Sequence, residues 1–144
     1  MNPNDIAPHH RSRLAMIYIR QSSAHQVLHH RESQFRQRSF QQRAADLGWP
    51  REQITVIDED LVGQSGTKRP QNRTGFQDMV AQAALGHVGI ILALELSRLS
   101  RSNRDWYHLL DICAVTGTLL SDEEGLYDPR LRSIVALKVA KPGR

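Results

Sequence analysis

The sequence has a single cysteine, Cys113, among its 144 residues. One thiol can form neither an internal disulfide nor a multi-cysteine zinc site. No apolar run approaches the roughly 20 residues that a membrane-spanning helix needs. Residues 1–13 lack the apolar core that a secretory signal carries. These absences exclude a transmembrane protein and a disulfide scaffold, and they predict a cytoplasmic protein.

Metal and nucleotide motifs are also missing. Three histidines, His25, His29 and His30, lie close together without thiol or carboxylate partners at ligand spacing. The segment 63–70 (GQSGTKRP) fits neither GxxxxGK[ST] nor GxGxxG, the two glycine-rich phosphate loops. The sequence therefore predicts no metal site and no cofactor, and it disfavours a nucleotide-binding function.

The composition is that of an ordinary soluble domain, with 40% hydrophobic and 24% charged residues. A chain of this length is long enough for one domain with a real core and too short for two. The formal net charge of +4 suits a polyanionic partner without identifying one.

Apolar patterning predicts alternating strands and helices. Strands are predicted at 14–19, 54–57, 89–94 and 118–120, and helices at 32–47, 75–85 and 105–115. The strands are short, nearly continuous apolar runs, which is typical of a parallel sheet covered by helices on both faces. Residues 1–12 are polar, and we expect a flexible N-terminal arm there.

Unusual polar sets follow three of the predicted strands. Arg20–Ser22 follows the first strand, Asp58–Asp60 the second and Ser97–Arg101 the third. Because ligands bind beyond the carboxyl ends of parallel strands, one site is expected to gather a serine, several arginines and a carboxylate. A serine hydroxyl is a weak nucleophile by itself. Guanidinium groups stabilise the charge of a phosphodiester under attack, so the set favours phosphoryl transfer.

From the residues alone, ordinary structural roles stay open. A serine directly after a strand commonly caps a turn. Arg98 and Arg101, three residues apart, fit a solvated helix edge, and Asp58–Asp60 fits a solvated loop.

Taken together, the motifs are far more specific. Tyr18-Ile-Arg20-Gln-Ser22-Ser23-x-x-Gln26 resembles the Tyr-x-Arg-x-Ser-[Ser/Thr]-x-x-Gln motif of the serine recombinases, the resolvase/invertase family. Ser65-Gly66 with Arg73-Thr-Gly-Phe76 is similar to that family's Ser-Gly…Arg-x-Gly-[Phe/Leu], and Leu96-Ser-Arg-Leu-Ser-Arg101 to its Leu-Asp-Arg-Leu-x-Arg. Stretches at 29–34 and 125–129 resemble a branch of larger serine recombinases from mobile elements.

The resemblance, which covers residues 13–129, implies a resolvase-like three-layer α/β catalytic domain with a mostly parallel sheet. Such domains cut and rejoin DNA through a 5′-phosphoserine intermediate, without metal or high-energy cofactor, as dimers and tetramers. It implies a bacterial, DNA-associated protein with DNA as partner, no membrane partner and no small-molecule substrate. By the matching motif positions, the nucleophile is Ser22 and the phosphate-binding arginines are Arg20, Arg73, Arg98 and Arg101. The supporting residues are Gln26, Gln34, Asp60, Ser65 and Ser97.

Three features depart from the family pattern. Ser97 stands where many members have aspartate, and a serine can only hydrogen-bond there. The loop from Asp60 to Ser65 has one residue more than in many relatives. The resemblance fades after Pro129, so residues 130–144 are expected to be an atypical short tail, with the DNA-binding domain absent and self-association weakened.

Two other hypotheses follow from these departures and from the site composition. One is an inactive truncated remnant that acts only as an interaction module or has no function. The other is an unrelated small α/β domain that binds a nucleotide or phosphate.

Overall fold

The computed structural model describes residues 6–19, 26–58, 75–93, 104–123 and 125–130. These described residues form four helices and five strands. In order they are α1 (Pro8–Arg11), β1 (Leu14–Ile19), α2 (Gln26–Asp46), β2 (Ile54–Asp58), α3 (Gly75–Ala84), β3 (Val88–Ala93), α4 (Arg104–Thr116), β4 (Leu119–Ser121) and β5 (Leu126–Tyr127). A short 3-10 turn, Arg51–Gln53, precedes β2.

The five strands form one sheet in the order β2-β1-β3-β4-β5. β1 pairs in parallel with both β2 and β3, and β3 pairs in parallel with β4. Only the two-residue β5 runs antiparallel, against β4. The prediction of a mostly parallel sheet is therefore confirmed.

The sheet is buried on both faces, which explains its continuous apolar strands. Every residue of β3 is buried, as are five of the six in β1. On one face, Ile17, Ile90 and Leu92 pack against Phe40 and Ala44 of α2. On the opposite face, strand side chains pack against residues of α3 and α4, namely Met79, Ala83, Trp106, Leu109 and Cys113. The three-layer α/β architecture is thus confirmed.

The order of the strands creates a switch in direction beside β1. The chain passes from β1 through α2 to β2 on one side, and later places β3 on the other side of β1. Because α2 covers one face while α3 and α4 cover the other, the connections on the two sides of β1 diverge. In open α/β sheets the crevice at such a point, beyond the carboxyl ends of the strands, is where ligands bind.

Residues 6–12, here called the N-terminal segment, pack on the domain. The Ile6 side chain is buried in the core between the sheet and α2, here called the α2-side core. Arg11 ties the segment to the end of α2, because its Nε donates to the Leu47 carbonyl at 2.9 Å and its Nη1 to the Ile6 carbonyl at 3.2 Å. The described part of residues 1–12 is therefore packed, which differs from the expected flexible arm.

His10 is the buried polar residue of this segment. Its Nδ1 accepts a hydrogen bond from the Ala7 N–H at 2.9 Å, so the neutral ring carries its proton on Nε2. That nitrogen is buried and has no hydrogen-bond partner among the described residues. Burial lowers the pKa of His10, and the charges of His9 and Arg130 lower it further, while the Gly117 backbone and Asp128 act in the opposite direction.

We expect mild acidification to destabilise the fold through His10. The ring titrates near pH 6.5 in the unfolded chain and at a lower pH in the folded one. Between these two values the unfolded state binds more protons, so the free energy of unfolding falls as the pH drops. One proton limits the slope to about 1.4 kcal/mol per pH unit. Urea unfolding at pH 7.5 and 5.5 measures the loss.

A His10→Asn variant is the matched control for this pH effect. The asparagine side-chain oxygen can accept the Ala7 N–H as Nδ1 does, but it does not titrate. We expect the variant to lose less stability than the natural chain between pH 7.5 and 5.5. Equal losses in the two proteins would show that another group is responsible.

Most element boundaries lie within a residue of the sequence predictions, but three elements differ more. The helix α1 was not predicted, because residues 1–12 were expected to form a flexible arm. α2 begins at Gln26, six residues before the predicted start, because its first turns are polar and carry no apolar periodicity. β5 was not predicted, since two residues give no pattern. None of the helices in the described ranges is long and apolar enough to cross a membrane.

Candidate functional site

The carboxyl ends of three neighbouring strands lie side by side at one edge of the sheet. In the central strand β1, Ile19 is in register with Asp58 of β2, and Tyr18 with Ala93 of β3. Adjacent strands are separated by about 4.8 Å. The described parts of the three strands therefore end side by side at this edge, beside the switch in strand order.

Most of the predicted site residues follow these three strand ends in the chain and lie outside the described residues. They are Arg20 and Ser22 after β1, Asp60, Ser65 and Arg73 after β2, and Ser97, Arg98 and Arg101 after β3. The structure positions the elements on either side of each segment. Those elements bring the start of all three segments to the same edge.

The two predicted supporting glutamines both lie in α2. Gln26 is the first residue of the helix, so its backbone lies at the end of the helix that follows β1. Gln34 lies eight residues further on, about 12 Å along the helix axis at 1.5 Å per residue, and its side chain is exposed. The backbones of the two glutamines are therefore separated along the helix axis, and only that of Gln26 lies at the end of α2 that follows β1.

A cluster of three aromatic side chains, here called the ring cluster, lies at the same edge on the face covered by α3 and α4. It consists of Tyr18, Phe76 and Trp106. The Tyr18 ring is 5.7 Å from Phe76 and 5.8 Å from Trp106, both nearly edge-on, and the Phe76 and Trp106 rings are 5.2 Å apart. These separations are those of favourable aromatic pairs. Sequence analysis did not identify this cluster.

Three helices begin after the three strand ends. α2 starts at Gln26, α3 at Gly75 and α4 at Arg104, each following one of the parallel strands in the chain. A helix N-terminus carries unpaired N–H groups and a partial positive charge, which favour a nearby anion.

The end of β4 holds a buried polar network beside the site edge. Arg43 of α2 donates from Nε to the Ser121 Oγ at 2.8 Å. Asp122 is buried, and its Oδ1 accepts from the Gly125 N–H at 3.0 Å and from the Tyr127 hydroxyl at 3.4 Å. Burial, assisted by the charge of Asp122, raises the pKa of Tyr127 to about 12. These contacts close the turn between β4 and β5.

A second acidic residue, Asp128, is held where the described chain ends. Its carboxylate accepts from Nε and Nη2 of Arg130 at 3.1 and 2.8 Å and from the Arg130 backbone N–H at 3.0 Å. The hydrogen bonds from Arg130 lower the pKa of this carboxyl. Across the described ranges, no three His, Cys, Asp or Glu side chains gather in a way that would hold a metal ion.

The sheet order β2-β1-β3-β4-β5, parallel except for β5 and covered by helices on both faces, is consistent with the α/β fold of the resolvases. The chain belongs to the resolvase family, because residues 15–130 match the family model described as "Resolvase, N terminal domain", the catalytic domain of serine recombinases.

The chain also matches an uncharacterized protein of Sinorhizobium fredii, y4bA/y4pH. The two are 51% identical over 120 residues, which is 83% of this chain and 17% of that protein. This chain therefore spans about one-sixth of the length of its relative. No solved structure matches the chain.

Proposed function

We propose that this domain cuts and rejoins DNA, with Ser22 as the nucleophile. The observation that carries the proposal is the register of β1 with β2 and β3, whose carboxyl ends adjoin at the switch in strand order. Ser22 follows Ile19 by three residues, so the covalent chain keeps its Cα within about 11 Å of this edge. The segments with the four arginines start or end at the same edge.

The proposed reaction is a transesterification at a backbone phosphate. The Ser22 Oγ attacks phosphorus, the bond from phosphorus to the 3′ oxygen breaks, and the serine becomes joined to the 5′ phosphate. The serine gives up its proton, and the departing oxygen gains one to become a free 3′-hydroxyl. One phosphate ester replaces another, so the bond energy is kept and the hydroxyl can reverse the step without a cofactor.

The four arginines have an electrostatic role in this proposal. During attack, negative charge accumulates on the non-bridging oxygens of the phosphate, and bidentate guanidinium groups stabilise it. In the proposal this role belongs to the arginines of the segments that follow three different strand ends in the chain, namely Arg20, Arg73, Arg98 and Arg101. Phosphoryl transfer depends mainly on such positioning and charge stabilisation. Ser97, which cannot carry a negative charge, is assigned only a hydrogen-bonding role toward this set.

DNA is the proposed partner, bound through its backbone. A net charge of +4 gives weak affinity for DNA that falls steeply with salt, because binding releases condensed counterions. The proposal therefore concerns chemistry at a phosphate and does not specify a target sequence.

The decisive test measures covalent attachment to DNA. The chain is fused to a sequence-specific DNA-binding module and incubated with DNA that carries paired half-sites. A denaturing gel then detects protein joined to a 5′ end. We expect an adduct with the natural sequence and complete loss of the adduct with Ser22→Ala, since the oxygen that attacks phosphorus is gone.

Ser23→Ala is the matched control, because it removes the neighbouring hydroxyl of the same motif. We expect this variant to keep the adduct. An adduct that persists in Ser22→Ala would disprove the assignment of the nucleophile. Absence of adduct from the natural sequence as well would favour the alternative hypothesis of an inactive interaction module.

A further inference from the structure

The ring cluster joins three elements that are distant in sequence. Tyr18 is in β1, Phe76 in α3 and Trp106 in α4, and each ring contacts the other two. Tyr18 and Trp106 are almost fully buried, at 4% and 1% exposure. Aromatic side chains have few rotatable bonds, so a cluster of this kind fixes the relative positions of its parent elements.

Each ring also lies near the end of its helix or strand that adjoins, in sequence, a stretch with a predicted site arginine. Tyr18 is the second-last residue of β1 and precedes Arg20 by two positions. Phe76 is the second residue of α3 and follows Arg73 by three positions. Trp106 is the third residue of α4 and follows Arg101 by five positions.

We propose that the ring cluster is a positioning device that holds the three arginine-bearing segments at a fixed spacing around Ser22. This inference rests on the proposed function and assigns Phe76 and Trp106 as positioning residues that do not contact DNA. A displacement of about 1 Å is enough to reduce a reaction that depends on alignment about 100-fold. The competing explanation is that the rings only fill the core, in which case their loss lowers stability alone.

The test uses a thiol as a reporter of the charge around position 22 and needs no DNA and no activity. In a Ser22→Cys variant of the full chain, the pH dependence of alkylation by iodoacetamide gives the pKa of the introduced thiol. A free thiol titrates near 8.5, and nearby arginines lower that value. The native Cys113 does not compete, because it is fully buried and burial raises its pKa to about 12.

Phe76→Leu and Trp106→Phe are then introduced separately into the Ser22→Cys variant. We expect the alkylation midpoint to lie about one pH unit or more below 8.5 with the rings intact. Each ring substitution should raise the midpoint by at least half of that shift, because the arginine segments lose their fixed spacing. Phe76 is only partly buried, so its replacement by leucine preserves the fold and decides the question even where Trp106→Phe does not fold.

The matched controls lie on the opposite face of the sheet. Phe40→Leu and Trp49→Phe make the same chemical changes at buried positions in the α2-side core. We expect thermal unfolding to show stability losses in the controls at least as large as those of the ring variants, because Phe40 is buried and Trp49→Phe also removes the hydrogen bond to the Arg13 carbonyl. The midpoint of the reporter thiol should nevertheless stay unchanged in the controls.

Two outcomes would overturn the proposal, and they differ. A lowered midpoint that the ring substitutions leave unchanged, or that the controls raise equally, refutes the positioning role and leaves the proposed function standing. A midpoint at the ordinary value of a free thiol with the rings intact shows that the arginines do not surround position 22. That result would refute both the proposed site and the positioning role.

Discussion

Replacing Gly89 with alanine is expected to lower the free energy of unfolding by about 3 kcal/mol, at the upper end of the usual range for overpacking. Val88 and Ile90 pair with consecutive residues of β1, so Gly89 is the extra residue of a bulge in β3. A Cβ there would overlap the carbonyl oxygen of His10 and lie 2.8 Å from its carbonyl carbon. Because both partners are backbone, the N-terminal segment must move away.

Two measurements check this result. Urea unfolding gives the loss of stability, and limited trypsin digestion detects release of the N-terminal segment as faster cleavage after Arg11. Gly86→Ala is the matched control. Gly86 has a φ of +78° but no atom lies within 4 Å of a Cβ built on it, so only the backbone cost of about 1 to 2 kcal/mol applies. Equal stability and equal digestion of the two variants would contradict the expected clash.

Removing the Trp106 side chain is expected to have the largest effect on stability. Trp106 is 1% exposed and is the largest of the fully buried side chains in the described part of the chain. Tryptophan-to-alanine changes in cores cost about 3 to 5 kcal/mol, through lost burial and the cavity that remains. Total stabilities of domains are about 5 to 15 kcal/mol. Trp106→Ala should therefore be largely unfolded at moderate urea concentrations.

Val115→Ala in the same helix is the control for this change. Val115 is 87% exposed, so its truncation removes little buried surface. We expect its free energy of unfolding to stay within about 0.5 kcal/mol of that of the natural chain. A loss for Trp106→Ala no greater than that of Val115→Ala would show that the Trp106 pocket is not a tightly packed part of the core.

The strands were predictable from sequence because burial on both faces gives each one a continuous apolar run. Ile17 in β1 and Ile91 in β3 belong to runs of this kind. The parallel order followed from the helices between the strands, and it brought the three polar strand ends to one edge. The roles of Ser22 and the arginines remain predictions based on motif positions.

Contacts between distant elements were not predictable in the same way. Phe76 and Trp106 each fall within a predicted helix, but the pattern within one helix cannot show which rings contact each other. The burial of Ile6 was missed for a similar reason, since one apolar residue in a polar stretch gives no pattern. Each ring lies near a predicted arginine in sequence, but that nearness does not show that the three rings contact one another.

Residues 6–14 are part of the folded domain, although they precede the family match, which starts at residue 15. The Trp49 indole and the Gln53 amide donate to the Arg13 carbonyl at 3.0 and 3.1 Å. A fragment cut at the family boundary would strip both donors of their acceptor and open the α2-side core where Ile6 packs. Fusions and truncations should therefore keep the chain from Ile6 onward. Chimeras between relatives should exchange residues 6–14 together with the turn at 47–53, because the two contact each other.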